Sequence, residues 1–182
     1  MMEPTQSQSR IPELRKELLS SAQSDLVQRI EATRGRVPTP FKIWIQNPTL
    51  AEPLQELGAV LTKGIILSKQ EREIAILMIA RHWGAEYVLA THSREALEAG
   101  LPEATIAELR EGGRPQLSDQ RQQSVCAIVT NFVLNLPTSD ATFNDAVAAL
   151  GQAGVAELVA LCGYFTTVAL AMKLYQMPLP AK

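Results

Sequence analysis

The sequence predicts an all-α fold, a single-domain helical bundle, and three observations support this prediction. No stretch of the 182 residues alternates apolar and polar side chains in the way that a half-buried strand does. Helix starts are marked by a hydroxyl residue three positions before an acid, as at Ser68 and Glu71. Hydrophobic residues make up 46% of the chain, which is enough at this length for one buried core.

Nine helices are predicted in order along the chain. They follow a polar arm over residues 1–10 and are interrupted by an irregular, proline-rich link over 35–48. The starts at Thr49, Ser68 and Thr142 each have an acid three residues later. Glycines mark four of the predicted ends, at Gly64, Gly84, Gly100 and Gly112. The predicted helices cover about 12–20, 24–33, 50–63, 69–82, 85–99, 103–110, 119–135, 142–150 and 154–175.

The chain is expected to divide into an N-terminal arm with short helices over residues 1–35 and a helical domain over residues 36–182. Residues 155–172 are almost entirely apolar, and about 20 such residues would cross a bilayer. Glu157 interrupts this stretch, and no basic flank or aromatic belt frames it. We therefore interpret it as a core helix, or as a helix buried between subunits, and not as a membrane span.

The charge distribution argues against nucleic acid and anionic membranes as partners. The formal net charge is -2, and Lys and Arg are scattered without a basic run. The N-terminus lacks the apolar core of a signal peptide, which favours a cytoplasmic location. Cys126 and Cys162 match no metal-binding spacing, so we interpret them as buried, unreactive thiols and expect neither a metal nor another cofactor.

Glu73 and His92 are the residues that most suggest chemistry. Each interrupts an apolar stripe on its own predicted helix, Glu73 in line with Leu77 and His92 in line with Val88. The two helices are joined at Gly84, and in an antiparallel pair these side chains fall within about one helical turn of each other. A carboxylate beside an imidazole can act as a general acid/base pair. The alternatives are a Glu that favours the helix dipole and a His that is satisfied in the core.

Several separated elements of the chain occur in an order typical of one known family. They are Glu71-Arg72-Glu73, Arg81-x-Trp83-x-Ala85-Glu86-Tyr87, His92, Ala96, Ala99-Gly100-Leu101, Glu157-Leu158-Val159, Gly163-Tyr164-Phe165 and Pro178-Leu179-Pro180. Over roughly residues 40–180 the chain thus resembles the carboxymuconolactone decarboxylase family, whose superfamily includes the alkylhydroperoxidase D-like (AhpD-like) proteins. The resemblance implies an AhpD-like helical bundle with a central antiparallel hairpin over about 69–99, which assembles as a homotrimer or homohexamer.

The resemblance also distinguishes between two branches of that superfamily. The peroxidase branch has a CxxC pair between the Glu and the His, and here the two cysteine positions fall on Ala85 and Val88. Without a thiolate there is no nucleophile for a peroxide, so thiol peroxidase activity is disfavoured. The decarboxylase-like branch lacks that pair and fits better. It often has Glu-Trp where this chain has Val88 and Leu89, so we expect a substrate that differs from the usual lactone.

The leading hypothesis is a cofactor-free acid/base enzyme, a decarboxylase-like lyase, that acts on a small carboxylated lactone or related ring compound. In this hypothesis His92 transfers the proton and Glu73 orients His92. Arg81, Tyr87 and Glu86 are the candidate substrate-binding residues; alternatively, Arg81 pairs with Glu86 or the helix end, and Tyr87 is a packed aromatic. The other hypotheses are a non-catalytic oligomeric binding protein and a residual peroxidase that works through one of the two cysteines.

Overall fold

The computed structural model of the protein describes residues 9–10 and 13–179. Residues 1–8 of the predicted arm over 1–10, the first residue of the first predicted helix and Pro180 lie outside these residues. Across the described chain a short 3₁₀ helix, Lys16–Leu18, precedes eight α-helices, and there is no strand, which confirms the all-α prediction. The helices are α1 (Ser21–Arg34), α2 (Thr39–Trp44), α3 (Pro48–Lys63), α4 (Lys69–Trp83), α5 (Glu86–Glu98), α6 (Glu103–Glu111), α7 (Gln120–Val133) and α8 (Asp140–Leu174).

Helix α4 lies at the centre of the bundle. It contacts α5, α6, α7 and α8, and every residue from Glu71 to Ala80 except Met78 is buried. The cause is the unbroken apolar run over residues 74–80, which leaves the helix no polar face to turn toward solvent. Side chains in the middle of α4 therefore point into the protein, including the buried polar Glu71, Arg72 and Glu73, whereas Lys69, Arg81 and His82 near the ends of the helix are exposed.

The cap at the start of α4 is the one that the sequence predicts. The Ser68 hydroxyl accepts a hydrogen bond from the Glu71 amide at 3.2 Å, and the Glu71 carboxylate accepts one from the Ser68 amide at 2.8 Å. The predicted starts at Thr49 and Thr142 are wrong, because α3 is capped by Asn47 and α8 by Ser139. Thr142 instead donates its amide to the Ser139 hydroxyl, so it lies inside the first turn of α8.

Other boundaries differ from the prediction for identifiable reasons. The predicted helix over 12–20 is only the turn Lys16–Leu18, and the supposedly irregular link contains α2. Pro38 is the N-cap of α2 and Pro40 lies in its first turn, where a missing amide proton costs no hydrogen bond. The two predicted C-terminal helices are joined in α8, whose backbone leaves helical geometry at Gly151 with φ 73° and ψ 164°.

Helix α8 is the one helix in the described chain that is long and apolar enough to cross a membrane by length and composition. One side of it packs against α4 and α7 in the bundle. Its buried Glu157 accepts hydrogen bonds from the amides of Ile65 and Ile66 at 3.0 and 2.7 Å. This carboxylate therefore has a structural role, since it satisfies the backbone of the loop between α3 and α4.

Candidate functional site

Glu73 and His92 meet across the hairpin formed by α4 and α5. Gly84 ends α4 in the left-handed conformation, with φ 62° and ψ 39°, and turns the chain back along α4. The Nδ1 atom of His92 lies 2.8 Å from Oε2 of Glu73. The side chains are 17% and 7% exposed respectively, so the pair is largely shielded from water. The hairpin geometry expected from the sequence is thus confirmed.

The hydrogen bond to Glu73 decides which nitrogen of His92 is available for chemistry. An ionised carboxylate can only accept, so we assign the proton of this bond to Nδ1. In the neutral imidazole this leaves Nε2 as the basic nitrogen, and in the imidazolium it leaves Nε2–H as the acid. Nε2 has no hydrogen-bond partner among the residues that the structure describes. Glu73 therefore fixes the tautomer and orientation of the ring and keeps Nε2 free.

His92 forms part of the wall of a cavity of about 140 Å³, whereas Glu73 lies behind it and does not line the cavity. The His92 ring meets the ring of Phe165 from α8 edge to face, with the centroids 5.0 Å apart. The remaining walls come from the end of α1, from α2 with the link before it, and from α3, α5 and α8. The other lining residues are Arg34, Arg36, Pro38, Thr39, Pro40, Phe41, Thr62, Tyr87, Val88, Thr91, Tyr164 and Val168.

Two cations line this cavity, and no Asp or Glu of the described chain does. Arg34 is half-buried and donates its Nε proton to the side-chain oxygen of Gln55 at 2.9 Å. Its guanidinium lies 5.4 Å from the centre of the Phe41 ring. Arg36 is exposed. An electrostatic environment of this kind favours an anionic ligand.

Tyr164 brings a hydroxyl to the same cavity. Burial raises the pKa of Tyr164 to about 12, and the nearby charge of Arg34 partly opposes this shift. The hydroxyl therefore stays protonated at neutral pH and can donate a hydrogen bond. It has no hydrogen-bond partner in the part of the chain that the structure describes.

The structure separates the three predicted substrate-binding residues. Tyr87 lines the cavity, and its hydroxyl donates to the Thr39 hydroxyl at 2.7 Å. Arg81 does not line it, because it lies eight residues, or about 12 Å, beyond Glu73 along α4 and packs near Gly112 at the end of α6. Glu86 is exposed in the first turn of α5, where a carboxylate suits the helix dipole, and it does not line the cavity either.

Neither cysteine lines the cavity that His92 lines. Burial raises the pKa of the Cys126 thiol to about 11 and that of the Cys162 thiol to about 12, so both stay protonated at neutral pH. Where the peroxidase branch has cysteines, Ala85 and Val88 are buried, and Val88 contributes an apolar side chain to the cavity. The site thus offers an acid/base pair and cations but no thiolate.

Arg34, Arg36, Tyr164 and Thr91 are cavity residues that reasoning from the sequence missed. Arg34 and Tyr164 come from α1 and α8, and only the packing of the bundle brings them beside the hairpin. The one sequence feature that includes any of these residues is the Gly163-Tyr164-Phe165 element, and it supports the family resemblance without assigning a role to Tyr164. The Thr91 hydroxyl oxygen is buried without a partner in the described residues, which is unusual for a core hydroxyl.

Among the described residues, no three His, Cys, Asp or Glu side chains are grouped as metal ligands.

Comparison with known proteins identifies the fold. No family model matches the sequence, and no curated protein matches it. The debrominase Bmp8 in its apo form is 12% identical and superposes with a TM-score of 0.72 over 93% of this chain and 91% of its own. A peroxidase-related protein from Silicibacter sp. TM1040 is 15% identical, with a TM-score of 0.76 over 98% and 95% of the two chains.

A third similar structure carries the AhpD name. It is a putative antioxidant defence protein AhpD from Agrobacterium tumefaciens, 14% identical, with a TM-score of 0.65 over 77% of this chain and 97% of its own. At such identities the likeness shows the fold, and the AhpD-like fold expected from the resemblance is confirmed. The assignment to the decarboxylase-like branch stays a prediction.

Proposed function

We propose that this protein is a cofactor-free acid/base enzyme that acts on a small carboxylated lactone or related ring compound, as a decarboxylase-like lyase. The observation that carries the proposal is the 2.8 Å contact between Glu73 and His92 Nδ1, which leaves Nε2 of a cavity-lining imidazole without a partner. His92 transfers the proton, and Glu73 is the positioning residue that orients it.

The proposed proton transfer uses this arrangement. In a decarboxylation the bond between a ring carbon and its carboxylate breaks, CO2 leaves, and the electron pair stays on the ring as an enolate-like charge. The imidazolium Nε2–H of His92 donates a proton to that carbon. The neutral ring keeps its Nδ1–H donated to Glu73, and Nε2 takes a new proton from a water molecule, whose hydroxide combines with the released CO2 as bicarbonate. Glu73 thereby holds the ring in one orientation throughout the cycle by accepting the hydrogen bond from Nδ1–H.

The dimensions of the cavity limit the size of the substrate. At about 140 Å³ it is smaller than the roughly 300–1,000 Å³ typical of pockets for drug-sized ligands, so it suits a compound with a single ring. A Cys-to-Ala variant of the debrominase Bmp8 has been solved in complex with 2,3,4-tribromopyrrole, which is also a single ring. That complex supports the proposal that this fold accommodates small ring compounds.

We further propose that the protein is a cytoplasmic homo-oligomer, a trimer or hexamer. Apolar side chains that are exposed on the monomer support a contact between copies. On α3 and the loop after it they are Leu50, Leu57, Val60, Ile65 and Ile66. Light scattering after size-exclusion chromatography tests this proposal, and a monomer at all concentrations would contradict it.

A panel of carboxylated lactones and other ring carboxylates tests the proposed reaction. We expect the wild type to release CO2 from at least one member of the panel. His92→Gln should lower the rate by about 100-fold or more, the usual contribution of a general acid or base. Arg29→Gln is a matched control, because Arg29 pairs with Glu52 on the exposed surface and does not line the cavity.

Two results would reject the enzyme proposal. Equal rates for the wild type and His92→Gln would exclude His92 as the proton donor. Binding of ring carboxylates without turnover of any of them would favour the non-catalytic binding protein.

A further inference from the structure

The cavity that His92 lines contains a cation without an anionic partner. Arg34 forms no ion pair with any carboxylate of the described chain. Its Nε and Nη2 atoms donate to the side-chain and backbone oxygens of Gln55 at 2.9 and 3.2 Å. Both acceptors are neutral, as is the Phe41 ring beside the guanidinium. A half-buried charge with only neutral partners has lost hydration without gaining a counter-ion.

The hydrogen bonds around Arg34 fix the position of its guanidinium and leave the Nη1 nitrogen without an acceptor in the described chain. Gln55 is buried, and its Nε2 donates to the Thr33 hydroxyl at 3.2 Å, so its oxygen is directed to Arg34. Nη1 of Arg34 donates to no residue of the described chain, and Arg34 lines the cavity, so this nitrogen is left for a ligand. An arginine fork matches the two oxygens of a carboxylate.

A glycine lets a second donor approach Arg34. A Cβ atom on Gly58 would lie 2.7 Å from Cζ of Tyr164 and 3.2 Å from Nη2 of Arg34, and it would also collide with the Tyr164 hydroxyl. The missing side chain therefore allows the hydroxyl and the guanidinium to pack together against α3. Both groups line the cavity that contains His92.

We propose that Arg34, assisted by the Tyr164 hydroxyl, binds the carboxylate of a small ring ligand in the His92 cavity. This inference rests on the proposed function, because it names the anion-binding residues of the same site. It assigns to Arg34 the role that the sequence suggested for Arg81. Arg34 binds and orients the ligand, while the proton transfer remains with His92.

A purely structural role for Arg34 makes a different prediction. If the guanidinium served only to tie the end of α1 to α3, a carboxylate at position 55 would strengthen that tie and affect nothing else. Gln55→Glu keeps Arg34 and its geometry but gives the guanidinium an internal counter-ion. We therefore expect this variant to be at least as stable as the wild type and yet to bind an anionic ligand poorly.

Calorimetric titration with 2-furoate, and with 2-furamide as its neutral isostere, tests the proposal. We expect the wild type to bind furoate at least about tenfold more tightly than furamide, the preference expected of a charge-assisted hydrogen bond. Gln55→Glu and Arg34→Gln should each lose that preference, and Arg29→Gln should keep it. Circular dichroism checks that each variant is folded.

Each result separates this inference from the proposed function. Equal affinities for furoate and furamide in the wild type, or an unchanged preference in both Arg34→Gln and Gln55→Glu, would overturn the anion-binding role and leave His92 untouched. His92→Gln should keep the furoate preference while turnover is lost. Turnover that persists in His92→Gln would instead reject the proposed function, whatever the titrations show.

Discussion

The coupling between Glu73 and His92 can be measured as a free energy. His92→Leu removes the only hydrogen-bond partner that the described chain gives the Glu73 carboxylate, whose side chain is 7% exposed. Breaking one side of a buried ion pair costs about 3–5 kcal/mol, and we expect about 3 kcal/mol because the pair is not fully enclosed in the wild type. Glu73→Leu leaves a neutral imidazole that is 17% exposed, so it should cost only about 1 kcal/mol.

The double variant distinguishes a coupled pair from two independent side chains. Replacing both partners with apolar groups removes the desolvation penalty of each, so Glu73→Leu/His92→Leu should cost only about 1 kcal/mol. The single changes would sum to about 4 kcal/mol, which gives a coupling energy of about 3 kcal/mol. The double variant should therefore be nearly as stable as the wild type but inactive. This is the pattern expected of an active site, where a buried polar pair is needed for activity but adds little net stability.

Urea unfolding at neutral pH, followed by circular dichroism at one protein concentration, measures these energies. The exposed pair Arg29–Glu52 provides the control, since its atoms also lie 2.8 Å apart but its side chains are 54% and 51% exposed. Its double-variant cycle should give less than about 1 kcal/mol. If the effects of Glu73→Leu and His92→Leu simply add, the two side chains do not act as a coupled pair and our reasoning about the site is refuted.

Four further predictions follow from individual side chains. Iodoacetamide at neutral pH should leave Cys126 and Cys162 unmodified in the folded protein, because burial raises their pKa to about 11 and about 12; rapid modification seen by mass spectrometry would contradict this. The pKa values of both thiols and of the Tyr164 hydroxyl are higher in the folded state than in the unfolded state. The free energy of unfolding should therefore fall as the pH rises from about 9 to about 12. Cys162→Ala combined with Tyr164→Phe should reduce that alkaline decline in urea titrations, and an unchanged decline would exclude these groups as its source. Thr91→Val removes a buried hydroxyl that has no partner in the described chain, so the free energy of unfolding should stay the same or rise by up to about 1 kcal/mol. The melting temperature should not fall, and a clear fall would mean that the hydroxyl has a partner. Glu157→Gln should cost about 2 kcal/mol in urea unfolding, because an amide can accept only one of the two backbone hydrogen bonds, and a neutral result would show that the α3–α4 loop does not depend on this carboxylate.

The hairpin could be predicted from the sequence because its geometry is local. Glu73 and His92 lie on consecutive helices joined by a short glycine turn, so helical periodicity and chain direction alone bring them together. The depth of α4 was equally accessible, since its apolar run leaves no polar face. Both predictions needed only residues that are close in sequence.

The rest of the site depends on contacts between distant parts of the chain. Arg34 and Tyr164 are 130 positions apart and become neighbours only because α1, α3 and α8 pack around Gly58. Arg81 is a candidate substrate-binding residue from the sequence, but a separation of about 12 Å from Glu73 along α4 places it at the far end of the helix. The sequence does not predict α2 because prolines usually interrupt helices, whereas these prolines occupy positions where a helix tolerates them.

Solvent deuterium incorporation tests the central claim most directly, since that claim is a proton transfer by His92. A ring carboxylate that the protein decarboxylates is incubated in D2O, and the product is followed by proton NMR. We predict that the wild type places one deuteron on the carbon that loses CO2, and that His92→Gln slows this by about 100-fold or more while Arg29→Gln does not. Equal rates of deuterium incorporation in the wild type and His92→Gln would contradict the account.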